Sequence, residues 1–352
     1  MATMKAVVFK RPYKVDYEDA ERPCNPQPGE AIVRVHACGL CGSDLHPYRG
    51  TEAGLQAGTV CGHEFAGVVE EVGSGVQLSP GDRVAASFTT ACGNCWYCAH
   101  SISSRCDHAQ LFGWVGESGK GIHGAQAQFV RVPHANGTLM KLPSHISFEE
   151  GVLLGDIFAT GYFCAKNALV MLSDSGIPPA ELSVAVIGCG PVGLCAVASA
   201  RMLGFGSVFA VDRVQNRIDA AVKLGALDQD PTTANQGRGV DAVLEVVGSY
   251  DALKLGFRLV RTGGAVSSVG VHAHDKGFPV SPDDCYNKNI SFRSGRCPAR
   301  SLMDEISELL KTTGIVSCII SHQVPLAAAP EMYEMFEAQR DKILKVIFDP
   351  WA

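Results

Sequence analysis

Charge is sparse in this chain and nowhere concentrated in one sign. Of 352 residues 19% are charged, 30 Lys and Arg stand against 36 Asp and Glu, and no basic run is longer than a pair. That excludes the clustered positive footprint recruited by nucleic acid or an anionic membrane surface, so neither is expected as a partner. The segment Met1–Arg11 lacks the apolar stretch of a secretion signal. The 14 cysteines are therefore expected in a reducing compartment, the cytoplasm, as metal ligands or core filler rather than disulfides. A long uninterrupted apolar run is missing too. The charge-free stretch Leu182–Ala200 is broken by Gly188, Gly190, Pro191 and Gly193. It reads as a buried strand-turn-helix, since a membrane helix needs about 20 mostly apolar residues. There is no internal repeat and no low-complexity tract.

What is present is a chain long enough for two cores, with 46% hydrophobic residues and 38 glycines. From Lys5 to Pro143 short apolar runs such as Ala31–Val35, Phe65–Val69 and Gln128–Val132 alternate with turns such as Ser79–Asp82, which predicts a compact, barrel-like β domain. The stretch Glu149–Ala168 is rich in helix formers. Beyond Pro178 and Pro179, strands at Val184–Ile187, Val208–Val211, Ala242–Val246, Ala265–Val269 and Ile290–Phe292 are expected. Helices at Pro191–Leu203 and Gln215–Leu224 separate the first three. That alternation predicts a parallel sheet covered by helices. A helix near Leu302–Thr312 and a strand at Lys345–Phe348 close the chain.

Three motifs carry chemistry. The run Val184–Gly193 places Gly188, Gly190 and Gly193 after a strand and at the start of a helix. There the first glycine turns the chain, the second admits a pyrophosphate, and the third lets helix pack on strand; Pro191 and Val192 complete the loop. The helix N-terminus then offers N–H groups and its dipole to phosphate. Asp212 ends the next strand, nineteen residues after Gly193, where a carboxylate takes ribose hydroxyls. That favours NAD over NADP, although Arg213 and Arg217 would meet a 2′-phosphate if Asp212 turned away. Second, Cys92, Cys95, Cys98 and Cys106 have the spacing of a closed, structural four-thiolate zinc site. Third, Cys41-Gly42-Ser43-Asp44-Leu45-His46 together with Gly62-His63-Glu64 offers sulfur, nitrogen and oxygen donors. That mixture suits a catalytic zinc with an open position. The hexapeptide alone reads equally as a buried thiol with surface histidines; the other motifs tip the balance.

In these motifs, their order and their spacing, the chain resembles the medium-chain zinc-dependent alcohol dehydrogenases. The resemblance implies an α/β protein: a GroES-like β-barrel catalytic domain over 1–155, completed by about 297–352, and a Rossmann doubly wound parallel-sheet cofactor domain over 156–296. It implies two zinc ions per subunit, the catalytic one held by Cys41, His63 and Asp156. Asp156, in Leu154–Gly161, stands where liver-type members have cysteine, as in some secondary-alcohol relatives; Cys164 is then core. Glu64 becomes an exchangeable ligand, Asp44 an orienting acid, Ser43 the contact to the alcohol oxygen and His46 the group that passes the proton to solvent. Phe88 and Trp114 line the substrate pocket. Val247, Val269 and Val271 contact the cofactor, with Val269 and Val271 flanking the nicotinamide, and Lys345 lies near the pyrophosphate. The implied activity is reversible oxidation of an alcohol to an aldehyde or ketone by hydride transfer to NAD, in a homodimer or homotetramer. A zinc reductase acting on conjugated or aryl aldehydes with NADPH is the alternative, and a catalytically inert cofactor binder the rival from another class.

Overall fold

The structure is a computed structural model that describes residues 2–272, 277–310, 319–338 and 343–352. The described residues fall into two compact units. One comprises those of Met1–Ala159, Pro298–Thr312 and Ile320–Ala352; the other comprises those of Thr160–Cys297 and Thr313–Ile319.

The first unit is built on a seven-stranded sheet. Its order is Ile320–Pro325, Lys345–Asp349, Ala31–Leu40, Phe65–Val72, Arg83–Ala86 and Leu139–Lys141, with Phe129–Val132 also pairing with Ala31–Leu40. The hairpin Thr3–Arg11/Lys14–Glu21 lies beside it as a separate antiparallel pair. Ala31–Leu40 runs through the middle and is buried along nearly all its length. Its pairing with Phe65–Val72 slips twice, at Ile32/Val33 and at Val35/Ala37. Such bulges bend a strand and re-aim its end, and this strand leads directly into Cys41. The core beneath is apolar and contiguous, with Val33, Val35, Phe65, Val84, Phe112 and Phe348 among its members. The turn expected at Ser79–Asp82 is present: the Asp82 N–H donates to the Ser79 carbonyl at 3.0 Å, and the Ser79 N–H to the Asp82 carboxylate at 3.0 Å.

The second unit holds five parallel strands in the order Ser207–Val211, Ser183–Ile187, Val240–Glu245, Val260–Ser268 and Ser291–Ser294. Ser183–Ile187 and Val240–Glu245 are fully buried, as expected of strands covered on both faces. The chain leaves Ser183–Ile187 first toward one side and then toward the other. The strand order therefore reverses there, and open α/β sheets take their ligands at the carboxyl ends of the strands beside such a point. Among the described residues no helix is long and apolar enough to cross a membrane.

The helix-rich stretch Glu149–Ala168 forms two helices, Phe148–Leu154 and Ile157–Met171, separated at Gly155 and Asp156. The Gly155 carbonyl accepts the Phe88 N–H at 3.1 Å, and Gly155 packs so tightly on the Ala86 carbonyl that a Cβ would collide with it. That contact pulls the chain out of helical register. The boundary between units accordingly falls after Ala159 rather than Gly155, leaving Asp156 in the first. The helix near Leu302–Thr312 occupies Ala299–Leu309; the last two residues of the expected span lie outside those described.

Gly155→Ala should therefore destabilise the protein by about 1–3 kcal/mol through overpacking against backbone. Thermal unfolding of the metal-free variant should show a lower Tm than the metal-free parent.

Candidate active site

Three segments converge at one end of the first unit. Cys41 caps the short 3-10 turn Gly42–Asp44, and the Asp44 carboxylate folds back to accept the Cys41 N–H at 2.8 Å. His63 and Glu64 precede the strand Phe65–Val72, after a turn at Gly62 with φ +89°. Asp156 comes from the helix break. One ligand atom from each of Cys41, His63, Glu64 and Asp156 lies within 4.8 Å of all the others.

The imidazole of His63 is fixed from both sides. Its Nδ1 lies 3.1 Å from Asp44 Oδ1, so Asp44 holds the ring and leaves Nε2 facing inward. There Nε2 lies 3.3 Å from Asp156 Oδ2 and 3.2 Å from the Ser43 hydroxyl, while the Cys41 thiol donates to Asp156 Oδ2 at 3.4 Å. A carboxylate on the far nitrogen of a histidine is the usual outer support of a metal-binding imidazole. Glu64 turns one oxygen, Oε2, to the ammonium of Lys345, and both side chains are fully buried. Lys345 also donates to the Leu40 carbonyl at 3.1 Å. The other Glu64 oxygen, Oε1, is buried with no hydrogen-bond partner among the described residues.

Electrostatics follow from this crowding. Burial would lower the pKa of His63, but Asp44, Asp156 and the Cys41 thiol outweigh it and hold it well above its ordinary value. Burial, then Asp156 and Glu64, push the Cys41 thiol up. Burial and Asp156 likewise raise Glu64 against the pull of Lys345, whereas His63 keeps Asp156 low in spite of its burial. The group thus combines a soft sulfur, an imidazole held in one orientation, two carboxylates and an orphaned buried oxygen. These donors fit a divalent cation of zinc's preferences.

A second group, Cys92, Cys95, Cys98 and Cys106, also brings its ligand atoms within 4.8 Å of one another. Backbone N–H groups point at the sulfurs: Cys92 to Cys106 at 3.2 Å, Cys95 to Cys92 at 3.3 Å and His108 to Cys106 at 3.4 Å. The backbone amides of Cys98 and Asp107 draw the Cys95 thiol down to about 6. Four thiols with backbone donors around them, and no other donor in the group, fit a closed tetrahedral ion.

In the second unit the glycine loop has the expected shape. Gly188 has φ +91°, and a Cβ on Gly193 would strike the Gly188 carbonyl, whereas one on Gly190 would meet nothing within 4 Å. Pro191 and Val192 open the helix Pro191–Met202, which has no side-chain N-cap. Its first N–H groups face an open cradle fit for a pyrophosphate. Asp212 is held beside this loop, accepting from the N–H of Cys189 at 2.7 Å and of Val214 at 2.9 Å. Arg217 stands 3.9 Å from it, and Arg213 is exposed. Val247 and Val271 are exposed, and Val269 donates its N–H to the Glu245 carbonyl at 3.0 Å.

Other expected residues fare differently. Lys345 does not present a cation to a pyrophosphate: it is buried in the first unit and committed to Glu64 and Leu40. Phe88 is buried and bonded through its backbone to Gly155, next to Asp156. Trp114 sits on a separate two-stranded ladder with Gly121–Ile122. His46 lies on the helix Leu45–Arg49, beyond Ser43.

Sequence reading also missed residues that hold this region together. Gln126 is fully buried; its amide donates to the Gly39 carbonyl at 3.0 Å and accepts from the Tyr333 hydroxyl at 3.0 Å. Its backbone N–H donates to the Cys61 carbonyl at 2.9 Å. It thus joins the segments leading to Cys41 and His63. The Tyr333 ring packs on Tyr48 at 5.2 Å, and Arg49 pairs with Glu337 at 2.6 Å, so the helix Ala329–Glu337 braces the helix after Asp44. The available signal was a glutamine in an otherwise apolar run, Ala125–Ala127.

Because the His63 and Cys41 pKa values are both raised, the metal-free site carries protons on each near neutrality, and a metal must displace them. Zinc uptake at this site should release about two protons per ion, and its affinity should fall as pH is lowered. Calorimetry in buffers of different ionisation enthalpy, on protein with only the four-cysteine group filled, measures that number.

Comparison with known proteins agrees with this geometry. The family model for the alcohol dehydrogenase GroES-like domain matches residues 27–144, and that for the zinc-binding dehydrogenase matches 191–312. Zinc-type alcohol dehydrogenase B of Aspergillus flavus is 43% identical across 98% of this chain and 81% of its own length. The NADP-dependent isopropanol dehydrogenase of Thermoanaerobacter brockii is 32% identical across 84% of this chain and 85% of its own length. The solved structure of alcohol dehydrogenase TADH from Thermus sp. ATN1 superposes with a TM-score of 0.89 at 38% identity, covering 98% of this chain and 99% of that one. The chain belongs to the zinc-dependent alcohol dehydrogenases of the medium-chain dehydrogenase/reductase superfamily, and is an oxidoreductase.

Proposed function

We propose that the protein reversibly oxidises an alcohol to an aldehyde or ketone with NAD, using a catalytic zinc held by Cys41, His63 and Asp156 and a structural zinc held by Cys92, Cys95, Cys98 and Cys106. The observation that carries this reading is the convergence of Cys41, His63, Glu64 and Asp156 within 4.8 Å, with Glu64 Oε1 left without a hydrogen-bond partner among the described residues. When bound, zinc supplies Lewis acidity that makes an alcohol acidic near neutral pH, and the nicotinamide supplies the hydride acceptor. The chain's own residues do the rest. Asp44 keeps His63 in the tautomer that points Nε2 inward. Ser43, 3.2 Å from that nitrogen, would accept the alcohol's hydroxyl proton as its own hydroxyl proton leaves toward His46, which would pass a proton outward. Glu64, tied to Lys345, keeps one oxygen available as a reserve ligand. The ammonium of Lys345 offsets part of the negative charge that would otherwise accumulate there.

The preference for NAD rests on Asp212. Its position is set by the Cys189 and Val214 N–H groups, and its remaining lone pairs can accept from ribose hydroxyls. A 2′-phosphate would meet like charge, although Arg217 nearby and the NADP-dependent relative from Thermoanaerobacter brockii favour a modest preference over an absolute one. Self-association into a homodimer or homotetramer is supported by exposed Tyr286 and Phe278, close in sequence to the edge strand Ser291–Ser294. Thiol ligands support a reducing compartment, the cytoplasm.

A panel of primary, secondary, polyol and aromatic alcohols, followed by nicotinamide absorbance, tests the activity; no turnover with any alcohol or the matching carbonyls would remove it. Asp156→Ala should lower kcat/KM at least about 100-fold and reduce zinc from about two to about one per chain, with far-UV circular dichroism unchanged. Full metal and full turnover in that variant would exclude Asp156 as a ligand. Asp212→Gly should shift the ratio of kcat/KM for NAD to that for NADP toward NADP by roughly tenfold or more, the loss of a ribose hydrogen bond and of charge repulsion together. An unchanged ratio would take Asp212 out of the discrimination.

A further inference from the structure

Glu245 is a fully buried carboxylate at the carboxyl end of the strand Val240–Glu245, beside the point where the sheet order reverses. One oxygen, Oε1, accepts the N–H of Val247 at 2.8 Å and of Gly248 at 2.7 Å. The other, Oε2, accepts the Ser268 hydroxyl at 2.6 Å. His272 Nε2 lies 3.0 Å from that hydroxyl and 3.4 Å from Oε2. Since Ser268 spends its proton on Glu245, its lone pair is what faces His272.

These contacts join two loops, one after each neighbouring strand. They touch directly: a Cβ on Gly248 would collide with the backbone of Val271, and one on Gly270 with the backbone of Gly248. Each loop carries a large apolar side chain that the fold leaves out of its core, Val247 at 51% exposure and Val271 at 60%. Burying a carboxylate is costly unless it is well hydrogen-bonded. Here its bonds fix the backbone of the first loop and tie it through the Ser268 and His272 side chains to the second, while a valine of each loop stays exposed.

We propose that Glu245, acting with Ser268 and His272, is a positioning group for the nicotinamide half of the cofactor. By pinning loops 246–248 and 269–272 together it holds an apolar shelf for a flat ring at the carboxyl edge of the sheet. The proposal rests on the reading of this unit as a dinucleotide site and adds the group that sets the nicotinamide end. The adenosine and pyrophosphate end has its own fixed partners, the glycine loop and Asp212, which do not depend on Glu245.

The two ends can be read apart by titrating NADH, and ADP-ribose, which lacks the nicotinamide, against the full-length chain. Glu245→Ala, which strips two buried N–H groups of their acceptor, should weaken NADH about tenfold or more while leaving ADP-ribose within about twofold. Glu245→Gln keeps an oxygen for both N–H groups and should restore NADH binding to near the parent value. Ser268→Ala, which removes only the side-chain link, should weaken NADH alone, by a few-fold. Equal losses for both ligands, or no loss for NADH in Glu245→Ala and Ser268→Ala, would overturn the proposal. Should Glu245→Ala fail to fold, Glu245→Gln and Ser268→Ala still decide it. A parent protein that binds neither ligand would instead remove the dinucleotide reading on which the proposal stands.

Discussion

A buried excess of acidic groups governs the first unit. Cys41, Glu64, Asp156 and Asp44 gather around one imidazole and one ammonium in a region where both members of the Glu64–Lys345 pair are fully buried. This crowding raises the proton affinity of His63, Cys41 and Glu64 above its ordinary level. Such a group is unfavourable unless every lone pair finds a partner, and Glu64 Oε1 does not find one among the described residues. The surrounding architecture keeps these side chains from relaxing apart: the bulged central strand, the bridge through Gln126, the brace from the helix Ala329–Glu337, and the helix break at Gly155.

The second unit solves a complementary problem with backbone. Its glycine loop and uncapped helix present N–H groups toward an anion, and two carboxylates are used as fasteners beneath that surface. Asp212 fastens the glycine loop to the end of the next strand, and Glu245 fastens the loops of two others. In both cases a buried carboxylate accepts two backbone N–H groups, so its cost is repaid in loop rigidity close to a binding surface.

Much of this was legible in the sequence because zinc and pyrophosphate demand particular residue types at short range. Cys92–Cys106, Gly188–Gly193 and Cys41–His46 are local patterns, and their spacing survives translation into structure. What was not legible depended on contacts distant in sequence. Asp156 could be named by resemblance, yet the break that frees it comes from Gly155 meeting Ala86 and Phe88, nearly seventy residues earlier. Lys345 was placed near a pyrophosphate by resemblance alone; only the pairing of Lys345–Asp349 with Ala31–Leu40 brings it to Glu64. Glu245 was not singled out within its apolar strand, although a charge in a strand buried on both faces is itself a signal.

The separation of ligands along the chain has a consequence for how the protein is made. The four cysteines of the second metal group lie within fifteen consecutive residues, so closing that loop costs little chain entropy. The other group cannot assemble until Asp156 reaches Cys41 across 115 positions, and Glu64 meets its ammonium only across 281. A structural ion at the four cysteines, as proposed, would meet a site complete within one short stretch of chain. The proposed catalytic cluster instead needs segments far apart in sequence to be brought together first, so the two sites would fill at different stages of folding.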